Sequence, residues 1–319
     1  MANRQYFIER KEVLISYMFQ IGFDIGGTNI AAGVVDDSLN ILAKADIPFP
    51  KGCTCESLSL LLKNIADMFI RENVNLSELD SIGVAVPGSI DPTREHVINA
   101  HNLGLHNAPL RACVQTHFQN TPVLLVNDAD AAALAELYKG AFVGAKTAVL
   151  LTLGTGVGGG IILNGRLFTG GRGNGVELGH SILQHGGNKC TCGNNGCIET
   201  LCSASRLARE GRCAFNEDTV TARVVIDAAK AGDAAAKKIF ADYVDALGSA
   251  VASIINMLDP EIIALGGGVS HAGNFLFDAL RQNVSGKSFF SEYADIVPAQ
   301  MGNDAGIIGA AMLKRNANL

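Results

Sequence analysis

The sequence predicts an α/β protein of two lobes with a ligand cleft between them, and three observations carry that prediction. At 319 residues the chain exceeds one typical hydrophobic core and suits two of about 150 residues each. Apolar strands alternate with stripes at helical spacing, the mark of mixed α/β architecture. A strand–glycine turn–strand unit occurs twice, at Ile21 to Val35 and at Ala148 to Leu163, so the two halves open alike and read as a duplicated lobe.

In chain order, Ile21, Phe23 and Ile25 form an apolar strand, Gly26-Gly27-Thr28-Asn29 a tight turn, and Ile30 to Val35 the return strand of a hairpin. Leu58, Leu61, Leu62, Ile65 and Phe69 fall on one face of a helix, and Ser81 to Val86 is a β-rich run that stops at Pro87-Gly88. Val123 to Val126 is a short strand leading through Asn127-Asp128 into the alanine-rich helix Ala129 to Tyr138. Asp128 therefore stands at a strand-to-helix turn, where open α/β sheets hold their ligands. The second hairpin turns at Gly154-Thr155-Gly156-Val157-Gly158. Ile239, Tyr243, Leu247, Val251, Ile254, Ile255 and Leu258 stripe a long helix that ends before Pro260. Glu261 to Leu265 is a strand running into Gly266-Gly267-Gly268, and Ile307 to Lys314 is a last, small-residue helix. The boundaries expected are an extension over 1–20, a first lobe over 21–126 and a larger second lobe over 127–304, with the final helix over 305–319 packing back on the first lobe.

Composition narrows the function. A net charge of −6 without a basic run argues against a nucleic-acid partner. With 48% hydrophobic and 18% charged residues the chain is not disordered. No window reaches the 18 or so consecutive apolar residues of a membrane helix, and the charged start lacks the pattern of a signal peptide, so no membrane partner and a cytoplasmic location are expected. Eight cysteines in such a compartment point to metal binding rather than disulfides.

Glycine clusters follow apolar strands at Gly26-Gly27, Gly154 to Gly160 and Gly266 to Gly268, and the lack of a Cβ lets backbone N–H groups approach anionic oxygens. One such turn alone is most simply a turn. Three, two of them with a threonine (Thr28, Thr155), favour a nucleotide, although neither a Walker lysine pattern nor a dinucleotide fingerprint is present. Asp24 is placed to face a phosphate-bound Mg²⁺, or else to cap the turn. Asn127-Asp128 offers an amide and a proton acceptor, against the plainer reading of an Asx cap. Asn102, Glu177, His180 and Glu199 are the residue types that bind a polyhydroxylated ligand.

The most specific motif is Cys190-Thr191-Cys192-Gly193-Asn194-Asn195-Gly196-Cys197, with His180 ten residues upstream. Three thiolates and an imidazole complete the tetrahedral set of a closed structural zinc site. A glycine-rich surface loop with reduced thiols is the alternative, and it leaves the C-x-C-x₄-C spacing unexplained. Cys53, Cys55, Cys113, Cys202 and Cys213 show no comparable spacing and read as structural or surface thiols.

Together these residues resemble the ROK family of sugar kinases and sugar-responsive repressors. The resemblance covers Ile21 to Lys314 and rests on Asp24-Ile-Gly-Gly-Thr28, Pro87-Gly88, Asn102-Leu103, Asn127-Asp128-Ala129, Leu153 to Gly160, Glu177-Leu-Gly-His180, Cys190 to Glu199 and Leu265 to Gly268. It implies a two-lobed actin-like (ribonuclease H-like) ATPase fold with an interlobe cleft, and an ATP-dependent hexose kinase with glucose as the first choice of acceptor. Asp128 is then the catalytic base. Gly88, Asn102, Asn127, Asp128, Glu177, His180 and Glu199 hold the hexose; Asp24, Gly26, Gly27, Thr28, Thr155, Gly156, Gly266 and Gly267 hold ATP with Mg²⁺. His180 serves both sugar and Zn²⁺, and a homodimer is implied. The runners-up are kinases of allose, mannose, fructose, N-acetylmannosamine or N-acetylglucosamine, and a repressor, for which the roughly 20 residues before the first hairpin are too few to make a DNA-reading domain. Four positions depart from the family pattern: Asp130 stands where asparagine is common, Asn29 where lysine is frequent, and Gly175-Val176 where Ala-Gly is usual.

Overall fold

The computed structural model describes residues 18–50, 52–71 and 78–316. The expected extension over 1–20 lies, up to residue 17, outside the described residues. The chain divides into two compact units, each with its own sheet and core. The first takes the chain up to Lys139, together with Leu167–Gly175 and the stretch from Asn303 on; the second takes Gly140–Arg166 and Val176–Gly302.

In the first unit, β1 (Phe19–Ile25), β2 (Asn29–Asp36) and β3 (Ile41–Pro48) form an antiparallel meander, followed by α1 (Cys55–Arg71) and β4 (Leu79–Val86). A small three-stranded sheet, β5 (Ser89–Ile90), β6 (Val97–Ala100) and β7 (Leu105–Ala108), precedes α2 (Leu110–Gln115), β8 (Val123–Asn127) and α3 (Asp128–Lys139). The main sheet runs β3-β2-β1-β4-β8, with β4 and β8 parallel to β1. One face of β1 buries Phe23 and Ile25 with Leu58, Leu62 and Ile65 of α1 in a single cluster, each fully buried side chain stabilising the fold by roughly 1.5–3 kcal/mol.

The other face receives the C-terminal helix, Ala305–Ala311, which continues as a 3₁₀ turn over Met312–Asn316 rather than as one helix to Lys314. Backbone approaches backbone here: a Cβ on Gly22 would overlap the Ile307 carbonyl, and one on Gly83 the Ala310 carbonyl. The same helix presses Gly309 against Ala131 of α3. That packing keeps α3 in the first unit, so the division falls after Lys139 and not at the strand end before Asp128.

The second unit repeats the sheet. β9 (Ala148–Leu153), β10 (Val157–Leu163) and β11 (Arg166–Leu167) lead into α4 (Ile198–Cys202), α5 (Ala204–Phe215), α6 (Ala222–Ala231) and α7 (Ala234–Leu258). β12 (Ile262–Gly266), α8 (Asn274–Ser285) and β13 (Asp295–Pro298) complete it, in strand order β11-β10-β9-β12-β13. The hairpin β9–β10 is antiparallel and β12 and β13 run parallel to β9, the pattern of the first sheet. α7 is long and apolar enough by length and composition to cross a membrane, but Tyr243, Leu247, Val251 and Ile255 lie in the core of this unit. The Tyr243 hydroxyl donates to the Cys202 carbonyl at 2.8 Å, which satisfies its buried polar end. The turn at Gly266 to Gly268 does not return into a strand as the first two do. It enters a 3₁₀ turn, Gly268–Ala272, and then α8, because the parallel β12–β13 connection needs a helical crossover.

Candidate active site

The first unit holds eight of the expected positions, around the carboxyl ends of β1, β4 and β8. The Gly26-Gly27-Thr28 turn is closed by the Gly26 N–H donating to Asn29 O at 2.8 Å, and Thr28 is exposed. Asn102 sits in a 3₁₀ turn, His101–Leu103, where its Cβ would make ordinary contact with a side chain at Gly27. Asp24, the one residue of β1 that is not fully buried, sets its carboxylate against Gly306, in the first turn of the C-terminal helix. Burial, and then the charge of Asp128, raise its pKa from 3.8 to about 6.

At the end of β8 the sequence chose a cap. Asn127 Oδ1 accepts from the N–H groups of Ala129 at 2.8 Å and Asp130 at 3.3 Å, while Nδ2 donates to the Gly88 carbonyl at 2.9 Å. The Asx-cap reading therefore holds for Asn127, and one of its amide N–H groups remains for a ligand. Asp128, the first residue of α3, accepts from Ala129 N–H at 2.8 Å and keeps its carboxylate exposed. An exposed carboxylate on a rigid strand-to-helix turn can take a proton from a bound hydroxyl.

In the second unit the expected residues gather at the start of β10. The Glu177 carbonyl accepts from His180 N–H across the 3₁₀ turn Leu178–His180, so the two side chains, three apart, lie on one side. Gly179 lies against the Val157 carbonyl so closely that any Cβ would overlap it. Glu199, in the first turn of α4, accepts from Val157 N–H at 3.1 Å, and its carboxylate fills the space a Cβ would need at Gly156. Desolvation raises the Glu177 carboxyl above its ordinary value, with the His180 charge opposing and the Glu199 charge adding. Thr155 is exposed at the tip of the turn, its carbonyl accepting from Ser205 Oγ at 2.6 Å. Gly266 pairs with Thr152, and Gly267, at φ 81°, lies against the Leu153 backbone, so the two glycine turns of this unit are neighbours.

His180, Cys190, Cys192 and Cys197 bring one ligand atom each to within 4.8 Å of one another. Cys192 Sγ and Cys197 Sγ are 3.6 Å apart, as are Cys190 Sγ and His180 Nδ1. Bond lengths of about 2.3 Å to sulfur and about 2.05 Å to nitrogen in a tetrahedron require separations near 3.8 and 3.6 Å, so the donor set fits zinc. The loop is closed by Cys190 N–H to Asn194 O at 2.8 Å, Gly193 N–H to Cys190 O at 3.1 Å and Gly193 in the left-handed region. The sequence reading passed over Thr191, whose hydroxyl donates to Glu199 Oε1 at 3.2 Å. Its place between two ligand cysteines was the available signal.

A family model described as the ROK family matches residues 20–317. The chain belongs to the ROK family. Its relatives include a glucokinase of Halalkalibacterium halodurans, 36% identical over 94% of this chain and 96% of the relative. A glucokinase of Thermotoga maritima is 37% identical over 92% and 96%. Among solved structures, a ROK family glucokinase from Streptomyces griseus in complex with glucose and AMPPNP superposes with a TM-score of 0.80 at 31% identity, covering 94% of this chain and all of that one. The expectation of an actin-like α/β ATPase fold stands with these ROK neighbours.

Proposed function

We infer that this ROK protein is an ATP-dependent sugar kinase that transfers the γ-phosphoryl group of ATP to a hydroxyl of glucose. The observation that carries the reading is the exposed Asp128 carboxylate on the capped β8–α3 turn, in a chain whose relatives are named glucokinases. Asp128 accepts the proton of the attacking hydroxyl, a contribution of about 10²–10⁴-fold to the rate. Phosphoryl transfer has a loose transition state, so alignment and charge neutralisation supply most of the remainder. Asn102, Asn127 with Gly88, Glu177, His180 and Glu199 bind the sugar hydroxyls. The turns at Gly26-Gly27-Thr28, Thr155-Gly156 and Gly266-Gly267 offer backbone N–H groups to the nucleotide.

Asp24 is the carboxylate that would hold Mg²⁺, which supplies charge neutralisation on the phosphates. His180, Cys190, Cys192 and Cys197 would hold a structural Zn²⁺ that orients the His180 ring and the start of α4. With Nδ1 turned toward the thiols, Nε2 of His180 is left for a sugar hydroxyl. A homodimer in the cytoplasm, where ATP is supplied and thiols stay reduced, completes the reading.

ATP-dependent ADP release measured across a panel of hexoses, compared by kcat/KM, tests it. Glucose is expected to rank first. A higher kcat/KM for another hexose would reassign the acceptor, and no turnover with any hexose would sink the kinase.

A further inference from the structure

Six non-glycine residues hold positive φ among the described residues, and four of them are the asparagines and aspartate that tolerate it. The other two are Leu39, at 65°, and Arg94, at 57°. Leu39 has its side chain buried and its carbonyl bonded by Lys139. Arg94 needs a different account.

It lies in the turn from β5 to β6, a loop built around Asp91. The Asp91 carboxylate accepts from the N–H groups of Glu95 at 2.7 Å and His96 at 2.6 Å, and its carbonyl accepts from Arg94 N–H at 2.8 Å. This framework forces the Arg94 backbone into the left-handed region and turns its side chain inward. The guanidinium donates from Nη1 to the Leu125 carbonyl of β8 at 3.4 Å. Burial lowers the Arg94 pKa, and the charge of Asp130 opposes that shift. Asp130 is only 4% exposed, in the first turn of α3. A carboxylate so buried calls for a nearby cation, and an arginine that is partly desolvated calls for an anion. The turn thus carries the Arg94 guanidinium to the end of β8, where the charge of the buried Asp130 acts on it.

Between Leu125 and Asp130 in the chain stand Asn127 and Asp128. The same hairpin touches the turn once more, since Asn127 Nδ2 donates to the carbonyl of Gly88, the residue before β5.

We infer that Arg94 is a positioning residue for the transfer step: bonded to the Leu125 carbonyl before the turn and attracted to the buried Asp130 after it, it holds the Asp128 carboxylate at the bearing the acceptor hydroxyl requires. Asp128 is exposed and is the first residue of α3, its carboxylate accepting from the Ala129 N–H of the turn, so its aim follows the turn that carries it. A misplacement of about 1 Å at a reacting group can cost about a hundredfold in rate. The inference rests on Asp128 being the base.

The test compares Arg94→Met, Asp130→Asn and the double variant in the full-length enzyme. The readouts are kcat and KM for ATP with a hexose the parent turns over, and amide exchange at Ala129 and Asp130, whose N–H groups bond Asn127 Oδ1. Arg94→Met is expected to lower kcat about tenfold with a smaller change in hexose KM, and to speed exchange at both amides. Arg94→Lys, which keeps the cation, should recover part of the loss, and the double variant should be no slower than Arg94→Met alone. A kcat within about twofold of the parent, or unchanged exchange in a folded Arg94→Met protein, overturns the inference; a purely structural arginine would lower thermal stability without moving kcat. Should Arg94→Met not fold, Arg94→Lys carries both readouts, with a parental kcat and parental exchange again fatal. A parent that turns over no hexose counts against the proposed kinase instead, and the exchange rates then decide the role of Arg94.

Discussion

The two units open with the same hairpin and part company at the carboxylate beside it. β1 turns at Gly26 to Thr28 with Asp24 two residues before the first glycine; β9 turns at Gly154 to Gly156 with Thr152 in that position. In the first unit the acid is carried by the strand itself, wedged against Gly306 and lifted to a pKa of about 6. In the second it comes from α4, with Glu199 bonded to Val157 N–H and lying over Gly156. Gly27 has only the Asn102 Cβ nearby, whereas Gly156 has an anion at contact distance. A duplicated backbone frame is therefore generic, and its chemistry is set by whatever element packs onto it.

Several experiments can break or sharpen this contrast. The largest effect is expected from Asp128→Asn, which removes the base and keeps the shape: turnover should fall by about 10²–10⁴-fold while sugar binding by calorimetry stays close to that of the parent. Near-normal kcat would remove Asp128 from its role. Next in size is Cys192→Ser, which takes one donor from the zinc set; structural zinc contributes roughly 10–16 kcal/mol of folding energy in small peptides. Metal analysis should show zinc lost and calorimetry an earlier unfolding transition, and a stable, fully zinc-loaded variant would overturn the assignment.

A matched pair of alanines tests the hairpins directly. In Gly156→Ala the new methyl collides with the Glu199 carboxylate, so a cost of about 1–3 kcal/mol and a raised sugar KM are expected. In Gly27→Ala the methyl meets Asn102 at ordinary contact distance, and both losses should be smaller. Equal losses would show that the Glu199 contact does not distinguish the turns.

The smallest effect is the pH response of Asp24. Its folded pKa, about 6, lies above the usual 3.8, so the folded state binds the proton more tightly than the unfolded chain does. The stabilisation by that proton is complete below pH 3.8 and is lost as pH rises toward 6. Asp24→Asn should flatten the stability profile across that window. In the parent, the apparent affinity for Mg²⁺-ATP should weaken as pH falls through about 6, because the protonated acid no longer attracts the cation. A profile unchanged by the substitution would mean that Asp24 titrates normally.

Much of this was legible in the residues. Both hairpins, the Asp128 turn and the long α7 followed from period and punctuation, which act over a few residues and need no partner. The cysteine spacing foretold a cluster because a short loop with two glycines has few ways to arrange three thiols and the nearby imidazole of His180. Other features were not legible. The route of Gly266 to Gly268 into α8 depends on the parallel pairing of β12 with β13. The membership of α3 in the first unit depends on the close approach of Gly309 to Ala131. Asn127 could be read as a cap or as a ligand; its bonds to Gly88, Ala129 and Asp130 show the cap, using one amide N–H.

By itself the sequence determined the local frame: which segments are strands and helices, where glycine bends the chain, and which residues carry chemistry. These are properties of near neighbours, written in side-chain period and backbone freedom. Only the tertiary structure decided which acid serves which hairpin and that Arg94 reaches the turn bearing Asp128. Those outcomes join residues such as Val157 and Glu199, 42 positions apart, or Arg94 and Leu125, 31 apart. They depend on packing and desolvation, which exist only once distant elements have been brought together.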